Sequence, residues 1–150
     1  MPKLSVFLFF SLFIFSCSNE PSLKIIQGEI YGTTWQLKYS SDEDEVPIKA
    51  IVISELNRID KLFSHYKDDS LTSLINKNKI AYKDVAEEWK KLDKVGWDVH
   101  QQSNGYFNHK VSGDYVFNSF AKGYAVEKVS NIVIDNNINN FMVEIGGELR

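Results

Sequence analysis

The spacing of apolar positions changes several times along the chain, and each change marks an element. Between Ile25 and Tyr39, the residues Ile30, Trp35, Leu37 and Tyr39 stand among polar ones, with Gly28 and Gly32 as interruptions. That pattern predicts a strand pair or one bulged strand. Ser40 to Glu45 is an acidic loop closed by Pro47, after which Val52, Leu56, Ile59, Leu62 and Phe63 recur at helical steps. They form the stripe of an amphipathic helix. Asp84 and Glu87 have capping-box spacing, and Val85, Trp89, Leu92, Gly96 and Val99 predict a second helix over 85–103, stopped by Asn104-Gly105. Phe120, Tyr124, Val129, Ile132 and Val133 predict a third, ending near Asn136-Asn137. Asn140 to Ile145 then alternates as a strand before a Gly146-Gly147 turn. The order β, α, α, α, β predicts an α+β fold. A new strand starts at Glu148-Leu149-Arg150, too short to pair usefully, so the expectation is an unpaired edge or a protein that continues past Arg150.

The beginning of the chain follows another logic. Lys3 is the only charged side chain before Glu20, and Leu4 to Phe15 is an apolar run interrupted only by Ser5 and Ser11. Such a run reaches roughly 18 Å as a helix, short of a ~30 Å hydrocarbon core, which favours a cleaved signal over a resident membrane span. Residues 1–16 are therefore expected as signal peptide. Ile14-Phe15-Ser16-Cys17 resembles a bacterial lipobox, in which the thiol takes a diacylglyceryl group and becomes the new N-terminus. Plain secretion, with Cys17 an ordinary residue near the cleavage site, is the alternative. On the lipobox reading residues 17–27 are a lipidated tether, and the protein is periplasmic and held to a membrane, the inner one being the expectation.

Composition narrows the choice of function. At 150 residues, with 43% hydrophobic and 25% charged, the chain has the make-up of one globular domain. Its 17 basic and 20 acidic side chains give a net charge of −3 with no basic block, so nucleic-acid binding is excluded as an expectation. Cys17 is the only cysteine, which rules out an internal disulfide or a thiolate zinc site built from this chain. His65, His100 and His109 lack metal-ligand spacing and are expected at the surface.

Five short stretches carry the candidate chemistry. They are Tyr31-Gly32-Thr33-Thr34-Trp35; Leu56 to Asp60 with Phe63-Ser64-His65-Tyr66-Lys67 and Asp69-Ser70; Gly105-Tyr106-Phe107-Asn108; Phe120-Ala121-Lys122-Gly123-Tyr124-Ala125-Val126-Glu127; and Ile138 to Glu148 with its Gly146-Gly147. In this order they resemble the ApbE family of FAD:protein FMN transferases, over about residues 28–150. The resemblance implies a layered, T-fold-type α+β domain of which only the N-terminal part is present. It implies FAD as substrate, Mg²⁺ as cofactor, and threonine-bearing membrane redox subunits as acceptors. By position it assigns flavin or nucleotide contacts to Tyr31, Tyr66, Tyr106, Phe107, Asn108 and Lys122, and one Mg²⁺ contact to Ser119. Glycines near a helix start and after a strand suit close approach to an anionic ligand. Each feature also has an ordinary reading: a helix start with a solvated lysine for Ala121-Lys122-Gly123, a half-buried loop aromatic for Tyr66, and a simple turn for Gly146-Gly147.

The chain departs from the family pattern in places. Val116 stands where an aspartate usually precedes the lysine helix, with Asp114 two residues earlier, and Asn108-His109-Lys110 replaces Asp-Pro-Thr. The segment between these points is shortened to Val111–Tyr115. The family's Asp and Thr metal ligands, and any further catalytic groups, are expected beyond residue 150. Three readings follow: an FMN transferase seen in part, a non-catalytic relative that binds flavin or a redox partner, or a decayed gene product.

Overall fold

The structure is a computed structural model and describes residues 22–41 and 47–150. The signal segment and Cys17 lie outside the described residues.

Strands β1 (Ser22–Ile30) and β2 (Thr33–Ser41), nine residues each, form an antiparallel hairpin in which Ile30 pairs with Thr33. The strand-pair alternative therefore holds, and the turn is Tyr31-Gly32, with φ of 54° and 69°. Two consecutive residues at positive φ match the right-handed strand twist, which is why two-residue hairpins favour this turn. Residues 22–27, expected as part of a tether, are strand. Their backbone groups find partners along β2, from Ser22 opposite Ser41 to Gln27 opposite Gln36.

Helix α1 (Ile48–Phe63) is followed by the short α2 (Leu71–Asn76), a 3₁₀ turn at Tyr82–Asp84, and α3 (Glu87–Gln102). A small hairpin, β3 (Lys110–Val111) with β4 (Asp114–Tyr115), leads into α4 (Asn118–Asp135). Strands β5 (Phe141–Ile145) and β6 (Glu148–Leu149) complete a four-stranded antiparallel sheet in the order β1-β2-β5-β6. One face of the sheet carries Trp35, Leu37, Tyr39, Val143 and Ile145, all buried against Val52, Leu56, Ile59 and Phe63 of α1 and Val126, Val129 and Val133 of α4. A Leu56→Ala change in such a core costs about 2–5 kcal/mol, from lost burial plus the cavity left behind.

Two expectations are corrected. Asp84 does not cap α3, because the 3₁₀ turn occupies Tyr82–Asp84 and extended Ala86 takes the cap position without a side-chain hydrogen bond. Glu87 consequently opens the helix instead of closing a capping box. The strand at Glu148 is not left unpaired: Glu144 faces Leu149, Ile145 faces Glu148, and Val143 and Arg150 exchange backbone hydrogen bonds at 2.8 and 3.0 Å. Gly146-Gly147, at φ 55° and 96°, makes this tight return possible.

Helices α1, α3 and α4 are also laced together by charge. Arg58 donates to both carboxylate oxygens of Glu88, at 2.6 and 2.8 Å, and to both of Glu55, at 2.8 Å each. Tyr124 donates to Glu88 as well. The hydrogen bonds from Arg58, then those from Tyr124, hold the Glu88 carboxyl at about 2, well below its ordinary 4.5.

Candidate functional site

The β1–β2 turn and the β5–β6 turn lie at the same end of the sheet, since Gly146 N–H donates to Thr34 O at 3.0 Å. The C-terminal end of α1, the loop after it and the first turn of α4 gather at this end. Between them runs a groove made of two adjoining hollows of about 280 and 660 Å³. The first is lined by α1, Tyr66 and the Asn118, Ala121 and Lys122 turn; the second by the hairpin turn and Lys67. Tyr31, Asp60, Ser64 and Tyr66 line both.

Each wall has a local cause. Tyr31 sits at a positive φ that disfavours a residue with a side chain, and its hydroxyl donates to Leu56 O of α1 at 2.8 Å. Burial first, and then the nearby charges of Asp60 and Glu55, push this phenol far above its ordinary range, so it remains a donor. The loop at Ser64 is folded by short-range polar contacts: Ser64 Oγ accepts from the N–H groups of Tyr66 and Lys67 at 3.3 Å each, and Ser70 Oγ donates to Ser64 O. Lys67 pairs with buried Asp60, Lys61 with Asp69 at 2.5 Å, and Lys77 with Asp68 at 2.6 Å. The lysine partners hold the Asp68 and Asp69 carboxyls below their usual range. Tyr66 is left 78% exposed, its hydroxyl accepting from Asn118 Nδ2 at 3.2 Å. On the opposite side a Cβ at Gly146 would stand 2.7 Å from Thr33 Cγ2 and 3.1 Å from Lys122 Nζ. Only glycine fits that turn without moving its neighbours.

Of the residues singled out from the sequence, Tyr31, Tyr66 and Lys122 therefore share one groove. Tyr106, Phe107 and Asn108 lie on the connection after α3, outside it. Tyr106 is 96% exposed, Phe107 packs near Phe120 with ring centres 5.8 Å apart, and Asn108 Oδ1 accepts from Lys110 N–H at 2.8 Å. Ser119 also points elsewhere. With Phe120, Gly123, Tyr124 and Glu127 it lines a separate hollow against Lys91, Leu92 and Val95 of α3. A cation such as Mg²⁺ needs several oxygen ligands in a near-octahedral set. Among the described residues no three His, Cys, Asp or Glu side chains come together in that way, so these residues alone do not fit the metal.

Sequence reasoning passed over Asp60 and Asn118. Asp60 follows Leu56 by four and so falls on the buried stripe of α1, where a carboxylate needs a reason. It also misplaced a histidine. His109, expected at the surface, is 1% exposed, and its Nε2 lies 2.7 Å from Asp93 Oδ1. Tyr82 donates to Asp93 Oδ2 at 2.9 Å, and burial, then this hydrogen bond, push the phenol up to about 12. The imidazole sits in space left by Gly96, where a Cβ would come within 2.6 Å of His109 Nδ1.

An antiparallel sheet covered on one face by two helices, with a groove between the β1–β2 turn and the start of α4, defines the architecture. The ApbE family model matches residues 31–113 and 115–150, and the chain belongs to that family. Its fold is similar to that of the flavin transferase ApbE from Vibrio cholerae, with a TM-score of 0.77 at 17% identity over 87% of this chain and 59% of that one. The apo form of the flavinyl transferase ApbE from Pseudomonas stutzeri gives 0.77 at 20% identity, over 87% of this chain and 61% of that one. In sequence the chain is 35% identical over 74 residues to the FAD:protein FMN transferase of Buchnera aphidicola subsp. Schizaphis graminum, 49% of this chain and 22% of the relative. The chain thus spans about a fifth of that curated relative and about 60% of the solved structures.

Proposed function

We propose that this chain supplies the flavin-binding part of an FAD:protein FMN transferase and takes FAD into the groove between the β1–β2 turn, the end of α1 and the start of α4. The observation that carries this reading is that Tyr31, Tyr66 and Lys122 line one hollow, an aromatic surface for the flavin with a cation close by for the diphosphate. In the reaction, a threonine hydroxyl of a membrane redox subunit attacks the phosphorus on the FMN side. A new P–O bond forms, the P–O bond to AMP breaks, AMP leaves and the hydroxyl proton passes to solvent. Positioning and electrostatics carry most of the catalysis in such a transfer. Mg²⁺, when bound, would offset charge on the diphosphate.

Full-length chain titrated with FAD should quench flavin fluorescence saturably, and absence of saturable binding would overturn the reading. Release of AMP with covalent flavin on an acceptor would mark the enzyme. One observation favours a second reading, a binding module without transfer: Ser119 faces α3 and not the groove that holds Lys122. Stoichiometric FAD binding without AMP release would support it.

The protein is further proposed to work in the periplasm, anchored through lipidated Cys17. A Cys17→Ala chain that still fractionates with membranes after its signal is removed would rule the anchor out.

A further inference from the structure

Tyr66 is 78% exposed, yet its ring is contacted at two points. Its hydroxyl is held by Asn118 at 3.2 Å, and its ring centre lies 3.8 Å from that of His65, with the planes tilted by 39°. His65 does not line the groove. It lines a hollow on the other side of the loop, with Ser73, Asn76, Lys77, Ser112 and Asp114 among its neighbours. The imidazole thus backs the phenol from behind while the rest of Tyr66 faces both parts of the groove. His65 Nδ1 is shut away from solvent and, among the described residues, has no hydrogen-bond partner. A buried ring nitrogen without a partner gains nothing from being a nitrogen there, so the observed contribution of the side chain is its flat aromatic face.

We propose that His65 is a positioning residue for a stacked ligand: it holds Tyr66 as a fixed platform on which a flat conjugated ring, the flavin end of the dinucleotide, is laid. The inference rests on the FAD-binding reading above and extends it to a residue that touches no ligand. A platform already ordered before binding spares the complex the entropy of immobilising an exposed side chain. Immobilising a side chain on binding costs about 0.5–1.5 kcal/mol, which corresponds to roughly two- to tenfold in affinity.

The test compares the full chain with His65→Gln, which keeps a polar side chain and loses the ring, and His65→Phe, which keeps a ring and loses the nitrogens. Binding of FMN, FAD and AMP to each is measured by calorimetry, alongside the thermal midpoint. The expected result is a three- to tenfold weaker affinity of His65→Gln for FMN and FAD, with AMP affinity unchanged. His65→Phe should return flavin affinity to within about twofold of wild type. A merely structural role would shift the midpoint and all three ligands together, and would overturn the proposal. Equal flavin affinity of His65→Gln and wild type overturns it while leaving the groove assignment standing. Failure of the wild-type chain to bind either flavin overturns both.

Discussion

The α3 wall and the groove are built from the same kinds of residue to opposite effect. Beside α3, buried Asp93 accepts from half-exposed Tyr82 at 2.9 Å and lies 2.7 Å from His109 Nε2, and the His109 ring is surrounded by those of Trp97, Tyr115, Phe117 and Phe120. Trp89 is fully buried beside it and donates to Thr72 Oγ1 at 2.9 Å. At the groove, the carboxylate of Asp60 is likewise buried, but its partner Lys67 is exposed, as is the aromatic Tyr66. A buried carboxylate such as Asp93 favours the arrangement that pairs both its oxygens, because the alternatives leave one unpaired. A polar group open on one side can exchange its partner for a ligand. The wall is thus where stability is stored, and the groove is where binding is available.

Mutations at the two places should separate these properties. The largest effect is expected for His109→Ala, which leaves Asp93 Oδ1 without its buried partner. A loss of about 3 kcal/mol in denaturant unfolding, with little change in FAD affinity at a temperature where the variant is folded, is the outcome that fits. Gly96→Ala attacks the same wall from the other side, forcing a methyl into the imidazole's space, and should cost about 1–3 kcal/mol. Lys122→Ala inverts the pattern: FAD affinity should fall roughly tenfold, by loss of a cation beside the diphosphate, while the unfolding midpoint stays within about 0.5 kcal/mol of wild type. If Lys122→Ala unfolds the protein, or His109→Ala selectively abolishes binding, the division between wall and groove is wrong.

The smallest expected effect is a pH dependence at the Arg58–Glu88 ion pair between α1 and the start of α3. Because the Glu88 carboxyl is held at about 2 in the folded chain against an ordinary 4.5, its contribution is fully present above 4.5 and is lost as pH falls toward 2. The pair is partly open to solvent, so the screened contribution is about 1 kcal/mol or less. Arg58→Ala should flatten the unfolding free energy between pH 4.5 and 2, measured by acid titration of stability.

How far the sequence revealed this arrangement depends on whether a signal was local. The stripes of α1 and α4 and the stops at Asn104-Gly105 and Asn136-Asn137 were legible, because a helix repeats its contacts every turn. Helix α2 is six residues long, too short for a period to emerge, and only Ser70, whose Oγ accepts from Ser73 N–H at 3.0 Å, marks its start. The β3–β4 hairpin hides its signal in Ser112-Gly113 between two strands of two residues each. His109 was misjudged since its partner Asp93 lies sixteen residues away; the hint was Asp93 itself, four after Trp89 on the buried face of α3. Ser119 and Lys122 are three apart in sequence yet line different hollows, a phase difference that motif matching does not register.

On the proposed reading the groove lined by Tyr31, Tyr66 and Lys122, and not the α3 side, receives the flavin. Backbone amide shifts of the full chain, followed by NMR during titration with FAD, test it most directly. The expected result is saturable shifts concentrated at Tyr31, Tyr66, Asn118 and Lys122, with Trp89 and His109 unmoved. Shifts centred on Ser119, Leu92 and Val95 in the hollow against α3, or no saturable shifts at all, would contradict it.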